Sequence, residues 1–447
     1  MNSDTGSKPT GPLRGVKVVD LTSVLMGPYC TQILGDLGAD IVKIESPQGD
    51  TTRWLPIGKN AGMSGMFINI NRNKRGMVLN LKDPRGREIL HRLVAQAQVF
   101  VHSFRPGVPE SLGIDYETLR NINTRLVYQY AASYGRGGPY SRQPAIDPII
   151  AAFAGTTAHQ AGEGNLPLTE TGADPIAAAG HAAATMLGIF ARHRTGQGQY
   201  VESAMIVSNI YLNCEDALAY REKPLRRAVD QLQLGTGATY RLYETAPVGD
   251  GRTTEPYENP APRWVFLAAV DDDEFARFCK VAKRDDIARD PRFTTRRGRE
   301  ENRPALEAAL EAVFRTGTAH EWETSLLAAG VGCVMADAMS HFAFLYRDAQ
   351  ARAIDMMTTS EHPSFGGDYW RPAPLIGFST TPGCVRAFCE MGEHTRTILG
   401  ELGYDEAAMT QLKEAGVVAW PADPAEMAMA RRLSHRASQP SVSRPDV

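Results

Sequence analysis

Asp174 stands in the run Thr-Gly-Ala-Asp-Pro, directly before a long Ala-rich stretch. Proline suits the first position of a helix, where its missing N–H costs nothing. The spacing therefore predicts Asp174 as the N-cap of a helix that opens at Pro175. A carboxylate there meets free backbone N–H groups and the positive end of the helix dipole. Both favour ionisation, which predicts a lowered pKa. An ionised, positioned carboxylate can attack an activated acyl carbon. Taken by itself, an aspartate before a helix is only a cap, so the wider context has to decide.

Three other clusters could bind an anionic or aromatic ligand. The segment Thr22–Pro28 follows an apolar run, and its Gly27-Pro28 step can turn the chain into a helix N-terminus, a common anion site. It is not a G-x-G-x-x-G, so it does not point to a dinucleotide; the plain alternative is a mere connection. Asn71-Arg72-Asn73-Lys74-Arg75, with Lys82 after the next strand, offers groups for phosphates or an ordinary solvated charge run. Ser103-Phe104-Arg105-Pro106-Gly107 puts an aromatic beside an arginine at a strand end, where adenine and phosphate could sit; a simple turn is the alternative. There is no Gly-x-Ser-x-Gly elbow, P-loop or H-E-x-x-H. His181 and His193 fall inside the Ala-rich stretch and read as packing or surface residues.

These residues need elements to hold them. Val16–Leu21 is an apolar run with β-branched residues and reads as a buried strand; Asp40–Glu45, Met77–Leu81, Val99–Ser103 and Leu126–Ala132 read as further strands. Helical stretches alternate with them: Pro28 to about Gly38, and Asp83–Ala97. Alternation of this kind predicts a parallel sheet with helices on both faces and a ligand crevice beyond the strand C-termini. Pro175–Arg194 reads as one helix whose few large side chains predict close packing against a neighbour. Leu234–Ala246, Val265–Val270 and the helical Asp273–Val281 look like a separate α+β segment. Pro247–Arg263 reads as a long loop and Pro304–Gly330 as helical.

The chain has 447 residues, too many for one simple core, so two domains are expected. A net charge of -3 gives no reason to expect nucleic acid. The six cysteines are scattered, without a C-x-x-C pair or zinc spacing, which predicts thiols in a reducing compartment and no metal. The polar N-terminus lacks the apolar core of a signal peptide, and no stretch is long enough to span a membrane. A cytoplasmic enzyme is the expectation.

In order along the chain, these segments resemble the class III CoA-transferase family, which includes formyl-CoA transferase, the carnitine-type CoA transferases and the α-methylacyl-CoA racemases. The resemblance runs from about Leu13 to Val418. It is carried by VKVVDLTSVLMGPYCTQILGDLGADIVKIESPQGD, by NRNKRGMVLNLKDPRG, and by VFVHSFRPGVPESLGIDYETLR leading to SYGRGGPYS. It is carried too by Asp174 with the helix ending in RHRTGQGQ, and near the C-terminus by GEHT and ILGELGY.

The resemblance implies an α/β fold: a large Rossmann-like parallel-sheet domain plus a smaller α+β domain, in an interlocked, ring-like homodimer. The implied layout is a flexible tail at 1–12, the large domain at 13–225 and 341–420, the small domain at 226–340, and a mobile tail at 421–447. It implies that Asp174 attacks an acyl-CoA donor, and that a mixed anhydride and an aspartyl-CoA thioester carry CoA to a free carboxylate acceptor. Contacts to coenzyme A carry over to Leu25, Met26, Leu79, Lys82, Ser103, Phe104 and Arg105. Ser103 replaces the commoner asparagine, and Ser46 replaces a basic residue found in some members.

Two other readings are weighed beside this one. The racemase branch pairs a histidine and an aspartate after G-x-x-G-P. Here Ile146 precedes Asp147, and an isoleucine cannot transfer a proton. The glycine-run lid of the formyl branch has no counterpart in Gly235-Thr236-Gly237. A non-catalytic acyl-CoA-binding protein is the reading from a different class.

Overall fold

The computed structural model describes residues 11–162, 164–168, 172–224, 229–248, 259 and 261–421. Residues 1–10 of the expected N-terminal tail, 422–447 of the expected C-terminal tail and most of the loop 247–263 lie outside them.

Strands form at all five expected places: β1 (Lys17–Leu21), β2 (Asp40–Glu45), β3 (Lys74–Leu79), β4 (Val99–His102) and β5 (Val127–Ala132), joined by β6 (Gln199–Ala204); β3 begins three residues before the expected Met77, takes in Lys74 and Arg75, and ends two residues before Leu81. They make one sheet in the order β3-β2-β1-β4-β5-β6, every neighbouring pair parallel. A short strand, Val418–Ala419, runs antiparallel to β3 at the edge, pairing Val418 with Leu79. Alternation along β1 sends Val19 and Leu21 to one face and Val18 to the other. The first face packs on helix α2 (Pro84–Gln96) through Ile89, Leu90 and Val94. The second is covered by α1 (Met26–Asp36) and α3 (Ala173–Thr195).

Helix α3 is Ala-rich because it must come close. Ala173, Ala177, Ala178 and Ala182 share a buried cluster with Met26, Cys30 and Leu34 of α1. A Cβ on Gly188 would stand 2.7 Å from Val127 Cγ1 on β5, whereas one on Gly180 would meet nothing.

The described residues divide into two units, one within 11–151, 172–212 and 358–421, the other within 152–168 and 213–357. Relative to the sequence layout, 152–168, 213–224 and 341–357 group with the second unit. The first cut falls inside the helix Asp147–Phe153, where composition gives no sign of it. The second unit holds an antiparallel sheet in the order β10-β9-β8-β7, from β7 (Gly235–Gly237), β8 (Tyr240–Glu244), β9 (Trp264–Ala268) and β10 (Gly332–Met335). Tyr243, Phe278, Phe314 and Trp322 form its core. The single helical stretch expected from Pro304 to Gly330 is two helices, Arg303–Phe314 and Ala319–Ala328. Thr318 and Glu321 form a capping box that starts the second. No described helix is long and apolar enough to cross a membrane.

Candidate active site

From β1 the sheet winds one way through β2 to β3 and the other way through β4 and β5 to β6. The strand order therefore reverses between β1 and β4, and the crevice beyond their C-terminal ends is where open α/β sheets bind ligands. The two loops leaving these strands are the ones picked out by sequence. They touch: the Ser23 N–H donates to Ser103 Oγ at 3.3 Å. Gly27 serves this turn through close approach, since a Cβ there would lie 2.4 Å from Thr22 Cβ.

Beside the β4 loop is a cavity of about 330 Å³. Ser103, Arg105, Tyr130, Tyr134 and Gln143 give it a polar side, and Ile146 belongs to its apolar side. Arg105 is exposed and has no acidic partner among the described residues. Burial, with Glu202 nearby, pushes the Tyr130 phenol up to about 12, so it stays a hydrogen-bond donor.

Asp174 is 7% exposed. Its position corrects the sequence reading by two residues: the N-cap is Gly172, at φ +80°, and Asp174 is the second residue of α3. The amides expected to stabilise its carboxylate are largely engaged. Its own N–H donates to Asp147 Oδ2 at 2.8 Å, Pro175 has none, and the Ile176 N–H donates to Gly172 O. The expected lowering of the pKa is also overturned. Burial first, and then the Asp147 carboxylate, raise the Asp174 carboxyl to about 7. Desolvation and a like charge both oppose ionisation and here outweigh the dipole.

Asp147 follows Ile146, so adjacent residues reach the cavity and the Asp174 amide. The β1 loop reaches the same helix from the other side. Met26 Sδ lies 3.1 Å from Nε2 of His181, two turns along α3 from Asp174. His181 bonds Ser203 Oγ as well, and burial drives its pKa down to about 4, so it is a neutral packing residue.

Leu25, Ser103 and Arg105 thus gather at the switch point, while Met26 is only 5% exposed and packs against α3. Phe104 is half-buried, stacked 5.8 Å from the His102 ring, with its N–H donating to His102 Nδ1. Leu79 is only 1% exposed and packs in the core, and Lys82 is exposed just beyond β3. Strand β3 is two strands from β1, a separation of about 10 Å.

The basic run is neither a solvated face nor a phosphate cradle. Arg72 is buried on Asp36, Lys74 on Asp20, and Arg75 pairs with Asp40 and Glu401. A larger cavity, about 950 Å³, belongs wholly to the second unit. Its arginines are already paired, Arg299 with Asp272 and Arg303 with Glu307 and Asp230, and it contains no residue of the sequence-derived site.

Sequence reading missed Asp147 as a partner of Asp174, having weighed it only as the neighbour of Ile146. It also missed Tyr130 and Gln143 in the cavity wall. No local spacing links residues 147 and 174. Only the position of both at the C-terminal side of one sheet could have done so.

Comparison with known proteins identifies the family. The model of "CoA-transferase family III" matches residues 13–395. An acyl-CoA transferase of Fusarium pseudograminearum is 31% identical over 93% of this chain and 90% of its own length. The succinyl-CoA:glutarate CoA-transferase of Mus musculus is 30% identical over 91% and 90%. The acetyl-CoA:oxalate CoA-transferase of Acetobacter aceti is 34% identical over 74% and 82%. Among solved structures, a CAIB/BAIF family protein from Brucella suis is 27% identical, with a TM-score of 0.71 over 88% of this chain and all of that one. The mixed α/β fold with its large parallel sheet is thus shared with known structures, and the chain belongs to CoA-transferase family III.

Proposed function

We propose that the protein transfers CoA from an acyl-CoA thioester to a free carboxylic acid, with Asp174 as the nucleophile. One observation supports this most directly. A buried carboxyl poised near pH 7 lies at the start of α3, its amide fixed by Asp147, and the residue before Asp147 lines a cavity at the switch point.

In this course the Asp174 carboxylate attacks the thioester carbonyl, the C–S bond breaks, and CoA leaves as the thiolate. The thiolate then attacks the aspartyl carbonyl of the mixed anhydride. That releases the donor's carboxylate and leaves an aspartyl-CoA thioester. The acceptor carboxylate attacks this thioester and expels the thiolate, which takes the new acyl group and returns Asp174 to its free form. Each intermediate is an anhydride or a thioester, so the activation of the donor thioester passes to the Asp174 carbonyl and then to the acceptor without being lost. Arg105, Ser103 and the β1 loop at Leu25 and Met26 would hold the CoA portion, with Phe104, Leu79 and Lys82 as further contacts. Relatives named for glutarate, oxalate, malate and mesaconate make dicarboxylates the first acceptors to try.

The assembly we infer is a homodimer of interlocked rings. Its support is a set of exposed apolar side chains in the first unit: Leu187 and Phe190 on α3, and Ile210 and Tyr211 on α4 (Met205–Leu212). A folded monomer in equilibrium sedimentation would rule it out. All six cysteines are free thiols, five of them buried, which supports a reducing, cytoplasmic setting.

Incubation in heavy water with a panel of acyl-CoAs and free acids, followed by mass spectrometry of every CoA species, tests the chemistry. A new thioester is the expected result. Deuterium at the α-carbon of an unchanged thioester would favour the racemase reading, in spite of Ile146 at the cavity wall. Tight binding without either product would favour a binding protein.

A further inference from the structure

Val24, in the loop after β1, has φ +72°. A β-branched residue in the left-handed region is a true outlier, and such strain persists only where its surroundings impose it. Burial of its own side chain does not, because Val24 is 39% exposed. The restraint comes from beneath. Asp20 Oδ1 accepts from the Thr22 N–H at 2.9 Å and from its hydroxyl. Lys43 Nζ donates to Thr22 O at 2.9 Å and to Asp50 Oδ2 at 2.9 Å. The other oxygen of Asp50 accepts from the Val24 N–H at 3.4 Å and from Thr52. Glu45, itself paired with Arg53, accepts the Asp50 N–H and so fixes the carboxylate.

Lys43 and Asp50 have side chains 0% and 1% exposed. A buried ion pair is weak evidence for stability, since its desolvation offsets most of its attraction. This one instead grips both ends of a strained segment at the switch point of the sheet. We propose that Asp50, supported by Lys43, is a positioning residue: it holds Val24 in the left-handed conformation and thereby fixes the loop that presents Leu25 to the acyl-CoA. The inference rests on the proposed function for the ligand, but its mechanical half does not.

The test is a double-mutant cycle between Asp50→Asn and Val24→Gly, read by urea unfolding without ligand and by the KM for the acyl-CoA donor found active. Glycine adopts φ +72° without strain. Asp50→Asn is expected to lower stability and raise KM about tenfold while leaving kcat within about threefold, because about a tenfold effect matches the cost of such strain. Adding Val24→Gly should recover much of both losses, since the restraint is then no longer required. If the Asp50→Asn variant does not fold, Lys43→Met with Asp50→Leu removes both charges together and carries the same rescue test. Rescue of neither quantity by glycine would overturn the proposal, and so would a fall in kcat with KM unchanged. A wild-type protein that neither binds nor turns over acyl-CoA would overturn the functional reading instead. The stability cycle would still decide whether Asp50 holds Val24.

Discussion

The Asp147 carboxylate accepts the amide of Asp174 at 2.8 Å while raising the pKa of the carboxyl on the same residue. One side chain thus orients the proposed nucleophile and restrains its ionisation. The two effects can be separated.

Only the carboxylate form of Asp174 can attack, so kcat/KM should rise with pH up to about 7 and level off above it. Asp147→Asn removes the neighbouring negative charge but keeps an oxygen for the Asp174 N–H. Its plateau should begin at a lower pH, with the high-pH rate reduced by less than about tenfold. Identical inflections in the two proteins would show that Asp147 does not set the ionisation of Asp174.

Asp174→Asn should abolish transfer, by at least about a thousandfold. It should also stabilise the fold, with a definite pH dependence. The folded state binds the Asp174 proton more tightly than the unfolded chain does, so ionisation costs stability as pH climbs from about 4 to 7, and the full cost remains above that. Urea unfolding should therefore show the variant ahead by on the order of 4 kcal/mol at pH 8 and level with wild type near pH 4. A variant less stable at pH 8 would contradict a strained, buried carboxyl.

These effects mark where sequence reasoning stopped. Strands β1 to β5 were legible because β-branched runs and helical stretches alternate at short range. The family was legible through the order of segments around Asp174. The pKa of Asp174 was not, because cap and dipole are local while burial and Asp147 arrive through the tertiary fold, Asp147 from 27 residues away. The basic run failed for the same reason: Arg72 and Lys74 look solvated until Asp36 and Asp20, 36 and 54 residues distant, are folded against them. Val24 gave no sign at all, since valine is a residue one would never assign to the left-handed region.

Arg105 offers the cavity a cation without an acidic partner among the described residues. Arg105→Ala should weaken CoA binding about tenfold, with little change in unfolding midpoint, because no described acidic side chain pairs with it. The dependence of binding on salt should become shallower in the variant, as expected when a cation facing a phosphate is lost. Unchanged CoA affinity at low salt would remove Arg105 from the site.

Two glycines of α3 should respond to alanine with opposite signs, although both lie in one helix. At Gly188 the new methyl would stand 2.7 Å from Val127 Cγ1 and 3.3 Å from Val201 Cγ2, so α3 must move off the sheet. Overpacking of this kind costs about 1–3 kcal/mol. At Gly180 nothing lies within 4 Å of the same methyl, and the gain in helix propensity should stabilise by about 0.5–1 kcal/mol. Activity gives a second reading. Because Asp174 sits at the start of this helix, Gly188→Ala should also lower kcat/KM at temperatures where the variant remains folded, while Gly180→Ala leaves it near wild type. If Gly188→Ala loses stability alone, the placement of Asp174 is insulated from the packing of α3 on β5.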